Sequence, residues 1–164
     1  MTTVASIRGR ASPTFEGKRR IALSMYAKGK AFVGAYLLLQ RQSSSEPLDY
    51  VALHNLCQGI EITLKGLLLL RDYDKYKPQL RRLGHHLDEI ALAAIQAHAL
   101  KPLKTPLSQE LATLSKAYAQ HLMRYGSVYD ILVDPRTIER QRAVRRIAAV
   151  IRIIEREFKR GAVI

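Results

Sequence analysis

The sequence contains no tryptophan, three methionines and a single cysteine, Cys57. One thiol excludes an internal disulfide framework and any multi-cysteine zinc site, and it fits a reducing cytoplasm. No apolar run approaches the roughly 18 residues that a membrane span needs, so no span is expected. Alternating Val/Ile/Thr runs and Asn-Gly or Asp-Gly hairpin signals are also missing, which removes the evidence for strands. HExxH, Walker A and dinucleotide-binding glycine patterns are absent, and neither a metal nor a cofactor is expected. Acid is scarce: 14 Asp plus Glu stand against 27 Lys plus Arg, giving +13 at pH 7. Such a chain favours polyanions, nucleic acid first, with an anionic membrane surface or an acidic partner after it. With 164 residues, 48% of them hydrophobic, it can bury one core and reads as one domain.

Residues 1–17 collect Ser, Thr, Pro, Gly and two arginines without an apolar period, and read as a flexible basic arm. Their acid-poor composition superficially suits an organellar presequence, but the tail of a bacterial protein is the preferred reading. The remainder, 18–160, reads as a helical bundle. A first helix is expected over 18–42, with Ala27, Ala31, Ala35 and Leu38 and neighbouring Ile21, Phe32 and Leu39 on its apolar side. The serines before Pro47 then make a loop. A second helix over 48–71 carries Leu53, Leu56, Cys57, Ile60, Leu64, Leu67 and Leu68 at helical spacing. Residues 72–83 mix charge, tyrosine and Pro78 and read as a connection. Further helices are expected from His86 or Leu87 to Ala99, over 107–123, and from a Thr137 cap to about Lys159, with Glu139 and Arg140 in its first turn. The last places Val144, Ile147, Ala148, Ile151, Ile154 and Phe158 on its apolar face. Four to five helices with short connections predict an all-α, antiparallel up-down bundle.

Basic residues gather at both ends. Residues 1–30 hold Arg8, Arg10, Lys18, Arg19, Arg20, Lys28 and Lys30 against Glu16, and 136–160 hold nine basic against three acidic residues. On the last helix Arg145, Arg152, Arg156 and Lys159 line up away from the apolar face, where they can track phosphates or serve as a solvated face. Tyr73 and Tyr76, interleaved with Lys75, Lys77, Arg81 and Arg82, offer base stacking. Glu61 and Lys65 stand four apart in the favourable order for an ion pair, either a structural pair or a carboxylate aimed into a cleft. His54 lies one turn before Cys57 without a third orienting group, so Cys57 reads as packing and not as a nucleophile. His98 and His121 carry no readable role. Arg81-Arg82-Leu83-Gly84-His85-His86-Leu87 brings two guanidiniums and two imidazoles to a loop-to-helix junction. There a histidine can move a 2′-hydroxyl proton and an arginine can stabilise phosphorane charge; helix capping and surface charge are the alternative.

His54-Asn55-Leu56, followed by Gly59-Ile60-Glu61-Ile62-Thr63-Leu64-Lys65-Gly66-Leu67, then Gly84-His85-His86-Leu87-Asp88-Glu89-Ile90 and finally Arg124-Tyr125-Gly126, resembles the HEPN superfamily over residues 18–158. The resemblance implies a four- or five-helix bundle, paired as a homodimer in bacterial or archaeal cytoplasm. Members include metal-independent ribonucleases of toxin-antitoxin and defence systems, and non-catalytic versions that partner small nucleotidyltransferases or bind nucleotides. Catalytic members carry Arg, four to six residues, then His. Arg81 and His86 meet that spacing, but they overlap a Gly-His-x-Leu segment typical of non-catalytic relatives. The expected function is therefore binding of RNA or a nucleotide-containing polyanion, with a nucleotidyltransferase or antitoxin partner. Alternatives are an endoribonuclease using Arg81 with His85 or His86, and a non-catalytic docking subunit. Arg82, Lys75, Lys77, Arg145, Arg152, Arg156 and Lys159 are the expected polyanion contacts, and Glu61, Lys65, Arg124 and Tyr125 the expected cleft residues.

Overall fold

A computed structural model describes residues 12–42, 46–120 and 135–161. Among these residues the chain is all-helical, as expected. The helices are α1 (Phe15–Leu39), α2 (Glu46–Arg71), α3 (Tyr73–Tyr76), α4 (Gln79–Leu83), α5 (Leu87–Ala97), α6 (Thr105–Ala119) and α7 (Gln141–Gly161), with a 3-10 turn at Pro135–Thr137 before the last. The expected connection over 72–83 thus contains two short helices. Asp72 starts the first of them by accepting the Lys75 backbone N–H at 3.0 Å, and Pro78 suits a helix start because its missing N–H is not needed there.

α2 is the axis of the fold. It touches α1, α5, α6 and α7, and its whole expected stripe from Leu53 to Leu68 is buried. Truncating a fully enclosed leucine such as Leu64 or Leu68 to Ala costs about 2–5 kcal/mol. Its other face is closed by α1 at very short range. A Cβ added at Gly29 would lie 2.4 Å from the Thr63 backbone, one at Gly59 2.6 Å from Val33, and one at Gly66 2.7 Å from the Tyr26 backbone. Each step forward on α1 is matched by an equal step back on α2, so the two helices run antiparallel with glycine at every crossing.

That packing corrects the expected face of α1. Two helices meet closely here, and glycines make the contact. Ala22 and Gly29 are the buried positions, whereas Ala27, Ala31 and Leu38 of the alanine stripe are exposed. Glycine carries no hydropathy signal, so an apolar count selects the alanines instead. α1 also begins three residues early, because the Thr14 hydroxyl accepts the Gly17 N–H at 3.2 Å; the last three residues expected in the arm are helical.

The start of α7 is a second correction. Thr137 ends the 3-10 turn, and Glu139 and Arg140 precede the helix. The orphan N–H of Ala143 is satisfied from another helix: the buried Glu110 carboxylate of α6 accepts it at 3.0 Å and takes Arg142 Nε at 3.1 Å. A tertiary cap displaces the local one. The inward face of α7 is Ala143, Ile147, Val150 and Ile154, with Phe158 partly buried, while Ala148 is exposed.

Candidate functional site

Gly84 ends α4 with φ +50° and ψ −128°, a conformation that side chains with a Cβ rarely adopt. The turn aims the Gly84 carbonyl at Lys65 Nζ, 2.5 Å away, and swings His85 over the middle of α2. There Glu61, buried at 6% exposure, gathers three donors. Lys65 Nζ donates to Oε1 at 2.7 Å, while His85 Nδ1, at 2.9 Å, and the Tyr118 hydroxyl, at 2.8 Å, both reach Oε2. The His85 and Tyr118 rings meet nearly perpendicular, 5.8 Å between centres, and the His54 ring lies 5.8 Å from the same tyrosine.

Burial by itself pushes the Glu61 carboxyl up, but the hydrogen bonds from His85, Lys65 and Tyr118 outweigh it, and the net shift is downward. The carboxylate stays ionised and can only accept, so the imidazole must present Nδ1–H to it. That fixes the tautomer whose basic lone pair sits on Nε2. The His85 side chain is 41% exposed, which makes the cluster a line from a buried carboxylate to the surface. A carboxylate-oriented imidazole of this kind can take a proton from, or return one to, a group bound at the surface.

The other expected site residues are dispersed. Arg81 and His86 are both exposed, and His86 occupies the position before α5 without a side-chain cap bond. Of the adjacent histidines it is therefore His85, not His86, that the fold engages with a carboxylate. Arg82 and Lys75 line one open groove, together with Arg71; Lys77 is exposed at the end of α3. Tyr76 is only 6% exposed, so it offers no open face to a base, contrary to the expectation. Cys57 is sealed in the core, and burial pushes its thiol up, the reverse of what a nucleophile needs. Arg124 and Tyr125 lie outside the described residues, as do Arg8, Arg10, the 43–45 loop, His121 and Gly126.

Arg145, Arg152, Arg156 and Lys159 are all exposed. Their separations of seven, four and three keep them within one narrow arc of α7, opposite its inward face, along about 20 Å of helix. Among the described residues none of the four is in a salt bridge.

Sequence reasoning missed Tyr118, Glu110 and His98. Tyr118 continues the Leu111, Leu114, Ser115 stripe of α6, and its 3/4 spacing was the signal that it points inward. His98 is buried against the Phe158 ring at 5.7 Å with Nδ1 3.3 Å from Glu157, and nothing local marks that pairing. Among the described residues no cluster of three or more His, Cys, Asp or Glu could hold a metal ion, and no helix is long and apolar enough to cross a membrane. Comparison with protein families, with curated proteins and with solved structures returns no match.

Proposed function

We propose that this chain is a HEPN-like helical bundle that binds RNA or another nucleotide-containing polyanion, acting as a homodimer beside a nucleotidyltransferase or antitoxin partner. The α7 row carries the reading: four exposed cations on one edge of a helix, in a chain of net charge +13. Their span suits a short run of backbone phosphates, and guanidiniums bind these bidentately. Binding of this type is electrostatic and tolerant of sequence. Replacing Arg145, Arg152, Arg156 and Lys159 together by Gln should abolish a mobility shift of single-stranded RNA while the far-ultraviolet circular dichroism stays helical; an unchanged shift would refute the assignment to α7.

The Glu61–His85 contact favours a second reading, a metal-independent endoribonuclease. In that reading His85 transfers the proton, Glu61 orients it, and Arg81 on the same junction neutralises phosphate charge. The Arg81–His86 spacing is then incidental. Incubation with RNA in chelator tests it: cleavage lost in His85→Ala but retained in His86→Ala supports the reading, and intact RNA with the wild-type protein removes it.

A further inference from the structure

Among the described residues, five of the nine large hydrophobic side chains left exposed lie on α1: Phe15, Ile21, Leu23, Leu37 and Leu38. The cause is in the sequence of that helix. From Ile21 to Leu39 its only charged side chains are Lys28 and Lys30, so it is apolar nearly all round, a pattern that belongs to a helix enclosed by its neighbours. Only Ala22 and Gly29 are buried, on the side that meets α2, and Tyr26 and Lys30 turn toward α7, where both bond Glu155. The outer half is a different surface. Arg20, Ser24, Ala27, Ala31, Ala35 and Leu38, three or four residues apart, run along the side opposite Ala22 and Gly29 for about 27 Å. All but Ala35 are exposed, Leu38 to 64%, and Ile21 and Leu23 widen the face at its two edges.

The cations of α1 divide in the same way. Lys18 and Lys30, beside the fold, are paired with Asp74 at 2.7 Å and Glu155 at 2.9 Å. Arg20 and Lys28, on the outer half, are exposed and have no ion pair among the described residues. No acid stands between Ile21 and Leu39. This face therefore offers a second copy of the chain no counter-charge for Arg20 and Lys28, and two chains of net charge +13 repel each other. The apolar centre gains nothing from a phosphate backbone. Alanines in that centre give acyl chains little area to bury, but they let another helix approach closely. Charge and shape together fit an anionic helix with an apolar seam.

We infer that the outer half of α1 is a docking surface for an acidic amphipathic helix of a partner protein, its apolar seam against Ala27, Ala31, Ala35 and Leu38 and its carboxylates on Arg20 and Lys28. The surface shares no residue with the α7 row or the Glu61 cluster. A photoreactive benzoylphenylalanine placed at Ala31 of the full chain, in cells of the source organism, tests it, with the same group at exposed Ala112 of α6 as the control. Position 31 should give an adduct with a different protein, and mass mapping should place the link in a helix-forming segment with Asp or Glu beside its apolar residues. Position 112 should not give that adduct. Arg20→Glu with Lys28→Glu, both solvent-facing changes, should lower the adduct yield by about tenfold with the far-ultraviolet circular dichroism unchanged. The variant with four Gln on α7 should keep the adduct, so a failure of RNA binding and a failure of docking are read apart. An adduct with a second copy, with lipid or with a segment free of acidic side chains would overturn the inference, as would no adduct or a yield indifferent to the charge reversal.

Discussion

Glu61 Oε2 and His85 Nδ1 lie 2.9 Å apart, joining the centre of the longest helix to the turn before α5. The same carboxylate holds Lys65 at 2.7 Å, so among the described residues Glu61 is the anion that offsets a buried ammonium. Glu61→Leu would leave that ammonium uncompensated and should cost about 3–5 kcal/mol, read as a drop in urea unfolding free energy. Glu61→Leu/Lys65→Met, which removes both charges, should recover much of the loss. A single variant within about 1 kcal/mol of wild type would show that the cluster does not hold the fold.

The α1–α2 contact supplies a test with an internal control. A methyl group at Gly29, Gly59 or Gly66 would meet backbone or a fixed side chain under 3.0 Å, whereas at Gly34 it would meet nothing within 4 Å. Gly29→Ala and Gly66→Ala should therefore destabilise by at least about 1–3 kcal/mol through overpacking. Gly34→Ala, on the same helix, should stabilise by about 0.5–1 kcal/mol through helix propensity. Thermal midpoints moving in the same direction for Gly29→Ala and Gly34→Ala would contradict the interface.

Much of the fold can be read from local pattern, and the exceptions share a cause. The leucine stripe of α2 and the basic arc of α7 repeat within one helix, so periodicity exposes them. The α1 face was misplaced because its contact residues are glycines. Glu61–Tyr118, Glu110–Ala143 and His98–Glu157 join residues 57, 33 and 59 apart, and no local spacing encodes such pairs. The resemblance of the Glu61 and His85 segments to one family does not separate the two adjacent histidines; only the Gly84 turn places His85, and not His86, against Glu61.

Acid should act on this protein in two steps. Burial lowers the His98 pKa from its ordinary 6.5, against the pull of Glu157 and with Arg71 adding to the shift. The unfolded chain then takes up this proton first, so stability is lost as pH falls below about 6.5. Glu61 is shifted below its ordinary 4.5, and its contribution, present above that value, is lost as pH falls further. Midpoints measured from about pH 7.5 to pH 3.5 should show both declines. His98→Asn should flatten the first and leave the second; an unchanged upper decline would assign it to another histidine.

Glu110 caps α7 from a neighbouring helix, so Glu110→Ala should cost about 1–2 kcal/mol as a lost cap. Hydrogen exchange should report the loss in the first turn of α7 more than in α2. Uniform deprotection of both helices would mean that the carboxylate supports packing generally and does not act as a cap.

The most direct test of the polyanion reading is the salt dependence of binding to a single-stranded RNA by fluorescence anisotropy, between roughly 50 and 200 mM monovalent salt. If the four α7 cations each engage a phosphate, log affinity should fall against log salt with a slope of about −3. In the variant with all four replaced by Gln, both the affinity and most of that slope should be gone. Wild-type affinity that does not respond to salt, or a slope that survives the four substitutions, would contradict the account.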